Sequence, residues 1–181
     1  MSESKIRGKI LVGLWTEGKP MTLQAISEKV GLPTSSTMGY LLGLIKANYV
    51  SVPQTHQYAL TVLGKQAIGM PKIDQEQAAD ILQTVLYDKA FHFHDAQNMY
   101  LGTYADSLED FVNKIQTIDL RSIQFHLPRK DFENWIRMLG DTELAKKVEL
   151  MRLAHLTGEY LRDTLYQTAK ARLDELTQIA S

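Results

Sequence analysis

The sequence predicts a mainly α-helical protein with a small β component, divided into two domains at residues 1–71 and 72–181. Apolar residues recur at steps of three and four over most of the chain, which is helical spacing. Two short stretches, at 49–60 and 91–105, instead alternate as strands do. The charge also changes sign: the first domain has seven basic and three acidic residues, and the second has 13 basic and 18 acidic residues. A basic first domain favours a polyanionic partner.

The composition is that of an ordinary globular protein. Of the 181 residues, 44% are hydrophobic and 23% are charged, which argues against disorder. The absence of cysteine excludes disulfides, zinc fingers and thiolate metal sites. The chain has no apolar run of membrane-spanning length, and its first residues, MSESKIRGKI, lack the features of a signal peptide. We therefore expect a cytoplasmic protein with no membrane partner.

The first domain begins with three predicted helices. Apolar residues at helical spacing predict a first helix over Lys5–Trp15, which Gly18 terminates. Thr22 can cap a short second helix, and Gly31 supplies its left-handed end. A third helix is predicted over about residues 35–48.

Thr34–Ser36 offer hydroxyl groups that could cap the start of the third helix. A hairpin and a further helix follow. Tyr49–Val52 and Gln57–Leu60 are predicted as two short strands joined by a turn, and Thr61 begins another helix. The order of elements is therefore helix, helix, turn, helix, hairpin, helix.

The stretch GKPMTLQAISEKVGLPTSSTMGYLLGLIKANYVSV, with YALTVLGKQAI after it, resembles the winged helix-turn-helix of small prokaryotic transcription regulators. The resemblance covers about residues 5–70, and Ala25 and Gly31 stand where this fold makes the close turn between its helices. It implies that the third helix enters the major groove of double-stranded DNA while the hairpin, or wing, contacts the flanking backbone.

The resemblance also indicates which residues would face DNA. Around the third helix these are Thr34, Ser35, Ser36, Met38, Gly39, Leu42 and Gly43. None of them is Arg or Lys, so the commonest base-reading contact is missing. Positive charge would come from Lys5, Arg7, Lys9, Lys19 and Lys46, with Gln54 and His56 on the wing. With so few cations, we expect one subunit to bind DNA weakly.

The same surface has a second interpretation. An apolar strip formed by Met38 and Leu42, beside two glycines, could instead dock a partner helix, because the winged helix also serves in assemblies without DNA. The alternative to a DNA-binding domain is therefore a protein–protein interaction module.

The second domain is predicted to be mostly helical. A helix over 72–90 precedes a strand at FHFH (91–94) and a second extended segment at Tyr100–Ala105. Ser107 and Asp110 form a predicted capping box for the next helix.

Further helices complete the domain. One is predicted over Asp119–Leu127, and Asp131 and Asp141 are expected to cap the two helices that follow. Residues Thr142–Ile179 are predicted as a nearly continuous helix with a weak point at Gly158, which gives the domain a long C-terminal helix.

Residues 90–147 resemble an uncharacterised domain seen mainly in archaeal proteins, with a SLEEF-like cap, a SIEFH-like segment and a DFxxWIxxxLGDxELA segment. The matching residues are Ser107, Leu108, Phe111, Ser122, Ile123, Phe125, His126, Asp131, Phe132, Trp135, Ile136, Leu139, Gly140, Asp141, Leu144 and Ala145. The resemblance suggests an archaeal-type regulator but implies no activity, and no functional residue can be carried over from it.

Histidines in the second domain raise the possibility of a metal site. His92 and His94 share one face of a strand, and His126 and Asp131 could approach them as further ligands. The other interpretation is that the strand histidines face solvent while His126 bonds to the Asp131–Trp135 region. No nucleophile elbow, phosphate-binding glycine loop or dinucleotide motif is present, so we expect neither catalysis nor a cofactor.

The C-terminal segment carries a long apolar stripe. Its residues are Leu150, Leu153, Leu156, Tyr160, Leu161, Leu165, Ala169, Leu173, Leu176 and Ile179. Pairing with a second copy would bury this stripe and join two DNA-binding heads, although the helix could also pack on its own domain.

The leading hypothesis is a homodimeric transcription regulator whose second domain dimerises and responds to an unknown ligand or protein partner. An interaction module without DNA binding is the first alternative. A metal-responsive sensor that uses His92, His94 and His126 is the second.

Overall fold

The computed structural model describes residues 2–97 and 99–181, which divide into two compact units, one up to Lys72 and one over Ile73–Ser181. Most of the described residues are helical, and the strands form one three-stranded and one two-stranded sheet. This confirms the mainly α architecture with a small β component. No helix within the described ranges is long and apolar enough to cross a bilayer.

The first unit has the predicted order of elements, with one short strand added. Its elements are α1 (Glu3–Glu17), β1 (Met21–Thr22), α2 (Leu23–Val30), α3 (Thr34–Lys46), β2 (Val50–Gln54), β3 (Gln57–Leu60) and α4 (Val62–Ala67). The sheet is antiparallel in the order β1–β3–β2, so β3 pairs with both other strands. A helix-turn-helix with a wing is therefore present.

The helix ends of this unit follow from local chemistry, with one exception. Thr22 accepts a hydrogen bond from the backbone N–H of Ala25, and Gly31 ends α2 at a φ of 72°. The expectation that Thr34–Ser36 cap α3 is wrong, because these residues already form its first turn. Pro33 stands at the cap position in extended conformation, and no side chain caps the helix.

The core of the first unit joins its helices to the wing. Ile10 of α1, Ile26 of α2 and Leu41 of α3 are 2% exposed or less. Tyr58 of β3 belongs to the same cluster and pairs across the sheet with Met21. The wing is thus anchored to the helices by its buried side.

The second unit is built from helices around one hairpin. Its elements are α5 (Gln75–Leu82), a 3₁₀ turn (Tyr87–Lys89), β4 (Phe91–His94), β5 (Tyr100–Ala105), α6 (Leu108–Ile115), α7 (Leu120–His126), α8 (Asp131–Met138), α9 (Thr142–Leu153) and α10 (Gly158–Ala180). The hairpin is antiparallel, and Phe91 and Phe93 of β4 face the core. Both predicted strands are confirmed.

The helix predicted over 72–90 is wrong in its second half. A reciprocal capping box between Asp74 and Gln77 starts α5, but the backbone becomes extended at Gln83. The N–H of Val85 then donates to the carbonyl of Asp106 over 2.7 Å. This tertiary hydrogen bond replaces helical hydrogen bonding beyond Leu82.

The caps of the later helices follow from local chemistry. Asp141 accepts a hydrogen bond from the first turn of α9, as predicted, and Asp119, which was not predicted as a cap, accepts one from the first turn of α7. Ser107 caps α6, although the Asp110 carboxylate reaches back to the N–H of Asp106 and not to that of Ser107.

The expected cap at Asp131 is wrong. Lys130, at a φ of 66°, occupies the cap position of α8 without a side-chain hydrogen bond to the helix. Asp131 is the first helical residue, and its carboxylate binds His126 and Arg129 instead.

The C-terminal segment forms two helices, since the chain leaves helical geometry after Leu153 and resumes it at Gly158. Leu161, Leu165, Ala169 and Leu176 of α10 are at most 1% exposed, buried against α5, α6, α7 and α9. These four residues therefore need no second copy of the chain to cover them, whereas Leu153 and Tyr160 of the same predicted stripe remain exposed. At its far end, α10 is tied to α5 by a hydrogen bond from Gln75 Nε2 to the carbonyl of Ala180.

Candidate nucleic-acid interface

The outer face of α3 is open to solvent. Ser35, Gly39, Leu42 and Lys46 are exposed and follow one another at steps of four, three and four residues, which places them on one side of the helix. The opposite side packs inward through Thr37, Leu41 and Leu44. The helix therefore presents one continuous surface on a fixed support.

The start of α3 is suited to an anion. Thr34, Ser35 and Ser36 are exposed, and no side chain caps the helix. The first backbone N–H groups of a helix have no partner within the helix, and they lie at its positive end. The first turn therefore offers exposed hydroxyl groups and backbone donors of the kind that bind a phosphate.

Two of the residues predicted to face DNA are partly covered. Met38 is half-buried, and its sulfur lies 3.9 Å from the hydroxyl oxygen of Tyr58. Gly43 is also half-buried, and a Cβ placed there would lie 3.6 Å from Nη2 of Arg7. The accessible apolar group on this face is thus Leu42, which is 59% exposed.

The wing presents polar groups at its tip. Its turn is Thr55 and His56, held by pairing of Gln54 with Gln57, and His56 adopts a φ of 60°. Gln54 and His56 are both exposed, as a backbone-contacting wing requires.

The predicted cations differ in availability. Arg7 is bonded to Glu3 over 2.6 Å, and Lys19 lies 3.5 Å from Glu17. Lys5, Lys9 and Lys46 are exposed and have no ion-pair partner among the residues that the structure describes. Three cations of the predicted five are therefore free to neutralise phosphates.

The histidines of the second unit are engaged in hydrogen bonds. Nε2 of His126 accepts from the backbone N–H of His94 over 2.9 Å, so its proton is on Nδ1, which donates to Asp131 over 2.8 Å. His92 bonds through Nε2 to the carbonyl of Tyr87. Because both ring nitrogens of His126 are occupied, the metal-responsive alternative loses one of its three ligands. Within the described ranges, no group of three or more His, Asp or Glu side chains is placed to hold a metal ion.

The bonding of His126 predicts a pH-dependent stability. Burial lowers the pKa of His126, and the hydrogen bond and charge of Asp131 offset this only in part. Protonation would also remove the lone pair that accepts from His94. The stabilising neutral form is fully present above the unfolded pKa of about 6.5 and is lost as the pH falls through the lower folded pKa.

We therefore expect the free energy of unfolding to decrease below about pH 6.5, by at most about 1.4 kcal/mol per pH unit from this group. Urea unfolding followed by circular dichroism between pH 7.5 and pH 5 measures it, with His126→Gln as the variant that cannot titrate. Equal pH dependence in both proteins would show that His126 is not responsible.

The exposed α3, its buried support and the wing define a helix-turn-helix protein of the DNA-binding class. Residues 9–53 match the IclR helix-turn-helix domain, which supports a DNA-binding transcription regulator. Residues 70–170 match the family of unknown function DUF5752, and because this is more than half of the chain, the protein belongs to that family. No curated protein and no solved structure matches the chain.

Proposed function

We propose that this transcription regulator binds double-stranded DNA through the outer face of α3 and the wing, and that it acts as a homodimer in the cytoplasm. The observation that carries the proposal is the row of Ser35, Gly39, Leu42 and Lys46, exposed on a helix whose other side is fixed in the core. We also propose that the protein is a regulator of archaeal type, on the basis of the sequence pattern of its second domain.

The chemistry of α3 favours contacts to the DNA backbone, which position the protein, over contacts that read the bases. Hydroxyl groups and N–H groups at its start bind phosphate, and Leu42 offers an apolar contact for a thymine methyl group. Gly39 has no neighbouring atom within 4 Å of an added Cβ, so the backbone there can approach DNA closely. Sequence discrimination by one head is expected to be modest.

Weak binding by one head is the argument for a dimer. Lys5, Lys9 and Lys46 supply few phosphate contacts, and each contact contributes to affinity through counterion release. Two linked heads bind two half-sites with a gain in effective concentration. The second unit would supply the link and respond to a ligand or partner, through a surface other than the buried stripe of α10.

Gly39→Glu tests the proposal. The side chain extends into open space, and a non-glycine residue favours the helix, so the fold is expected to be retained. A carboxylate at this position would repel the phosphates, and we expect DNA affinity to fall at least about tenfold relative to Gly39→Gln, which has the same size without the charge. Fluorescence anisotropy with promoter-derived and random duplexes measures the affinity.

Salt separates this proposal from the interaction-module alternative, which the exposed Leu42 favours. Binding to DNA must weaken steeply as salt rises, whereas apolar docking of a partner helix changes little. The proposal is wrong if Gly39→Glu and Gly39→Gln bind DNA equally well, or if the wild-type protein shows no salt-dependent DNA binding.

A further inference from the structure

The second unit contains a cleft of about 420 Å³ beside β4 and the segment that joins α7 to α8. Its walls combine aromatic rings with polar groups. They include Phe91, His94, Phe125, His126, Arg129 and Asp131. This volume and mixture of groups are typical of a site for a small organic molecule.

Arg129 is held in one orientation at this cleft. Its Nε donates to Oδ2 of Asp131 over 3.0 Å, and its guanidinium carbon lies 4.8 Å from the centre of the Phe125 ring. Asp131 is itself fixed, because the same oxygen accepts from Nδ1 of His126. The side chain of Arg129 nevertheless remains 54% exposed.

These contacts leave one edge of the guanidinium available. The bond to Asp131 uses the Nε position and Phe125 covers one face, while Nη1 and Nη2 have no hydrogen-bond partner among the described residues. A guanidinium edge of this kind matches two oxygen atoms of a carboxylate. Because Asp131 and Phe125 already orient the group, little conformational entropy is lost when a ligand binds.

We propose that this cleft binds a small organic carboxylate, with its two oxygen atoms on Nη1 and Nη2 of Arg129 and its flat body against the aromatic walls. The negative charge of Asp131 does not exclude an anion, because Arg129 offsets it. The half-buried ring of Phe125 favours an unsaturated or aromatic body over a bare inorganic ion, and Phe91 adds only the small part of its ring that the core leaves exposed.

Titration of the full-length protein with benzoate, at constant ionic strength and followed by amide NMR shifts, tests the site. We expect saturable binding in the millimolar range with shifts at β4 and at the start of α8. Benzyl alcohol, which keeps the ring but lacks the carboxylate, is expected to bind at least about tenfold more weakly. Inorganic phosphate, which lacks the aromatic body, is also expected to bind at least about tenfold more weakly than benzoate.

Arg129→Gln removes the guanidinium and is expected to weaken benzoate binding about tenfold or more, with Arg129→Lys between it and the wild type. Arg137→Gln is the matched control, because Arg137 is a partly exposed arginine of α8 that pairs with Glu133 and Glu149 outside the cleft. Absence of saturable benzoate binding, equal binding by Arg129→Gln, or phosphate binding as tight as benzoate would overturn the proposal.

Discussion

Replacing Arg172 with methionine is expected to lower the free energy of unfolding of the second unit by about 3–5 kcal/mol. Arg172 is 5% exposed and donates to both carboxylate oxygens of Asp141 and to Glu143 and Glu175. Burial by itself would lower the pKa of Arg172. The hydrogen bond to Asp141 and the charges of Asp141, Glu143 and Glu175 outweigh burial, so the pKa is raised above its usual value. The cation is therefore permanent, and its removal leaves the buried carboxylate of Asp141 without the guanidinium that binds both of its oxygens.

Amide exchange in α9 and α10 measures this loss for the second unit by itself, because protection of core amides reports the free energy of opening. Lys170→Met is the control, since Lys170 pairs with Asp174 on the exposed side of the same helix and such pairs contribute about 1 kcal/mol or less. If Arg172→Met destabilises the unit no more than Lys170→Met does, the buried network has no stabilising role.

A second large loss is expected for Gly64→Ala in the first unit. An added Cβ would lie 2.2 Å from the carbonyl oxygen of Tyr49 and 2.7 Å from Cδ1 of Leu60. The Tyr49 oxygen cannot simply move away, because it accepts a hydrogen bond from the N–H of Thr61 over 3.1 Å. The clash involves backbone, so we expect a cost of about 3 kcal/mol, at the upper end for overpacking.

The loss would reach DNA binding as well as stability. Tyr49 leads from the end of α3 into β2, so displacement of its backbone moves the wing relative to the recognition surface. Thermal unfolding and amide exchange of α3 and β3 measure the change. Gly8→Ala, where nothing lies within 4 Å of the added Cβ, should be neutral or slightly stabilising. A fully protected first unit in Gly64→Ala would contradict the packing argument.

Local signals predicted much of this fold. The caps at Thr22 and Asp141 depend on one side chain and a backbone group three residues away, so the sequence contains all the necessary information. The exposed side of α3 follows in the same way from the helical spacing of Leu41 and Leu44.

Some errors arose where residues distant in sequence decide the outcome. The periodicity past Leu82 is helical, but the bond from Val85 to Asp106 fixes another path. The error at Asp131 is local, because Lys130 takes the cap position and the nearby His126 and Arg129 bind the Asp131 carboxylate. The stripe of α10 gives no sign in the sequence of what covers it, because its contacts come from helices earlier in the chain.

The candidate sites also include features that the sequence predicts and features that it does not. The pairing of Arg7 with Glu3 follows from their four-residue spacing on a helix and could have been predicted. The fixed guanidinium of Arg129 could not, because its orientation depends on the ring of Phe125 and on an Asp131 carboxylate that His126 holds in place. The pattern of histidines suggested metal binding here. The hydrogen bonds instead show that His126 binds Asp131, which in turn binds Arg129.

The bond between Gln75 and Ala180 brings the first and last helices of the second unit side by side. A short linker could therefore join residue 181 to residue 74 and close this unit into a ring. The chain could then be reopened at residues 154–157, where α9 and α10 are already separate. Such a circular permutant would leave α5 to α10 uncut. In the unpermuted chain, a fluorophore fused at residue 181 would lie beside the start of α5.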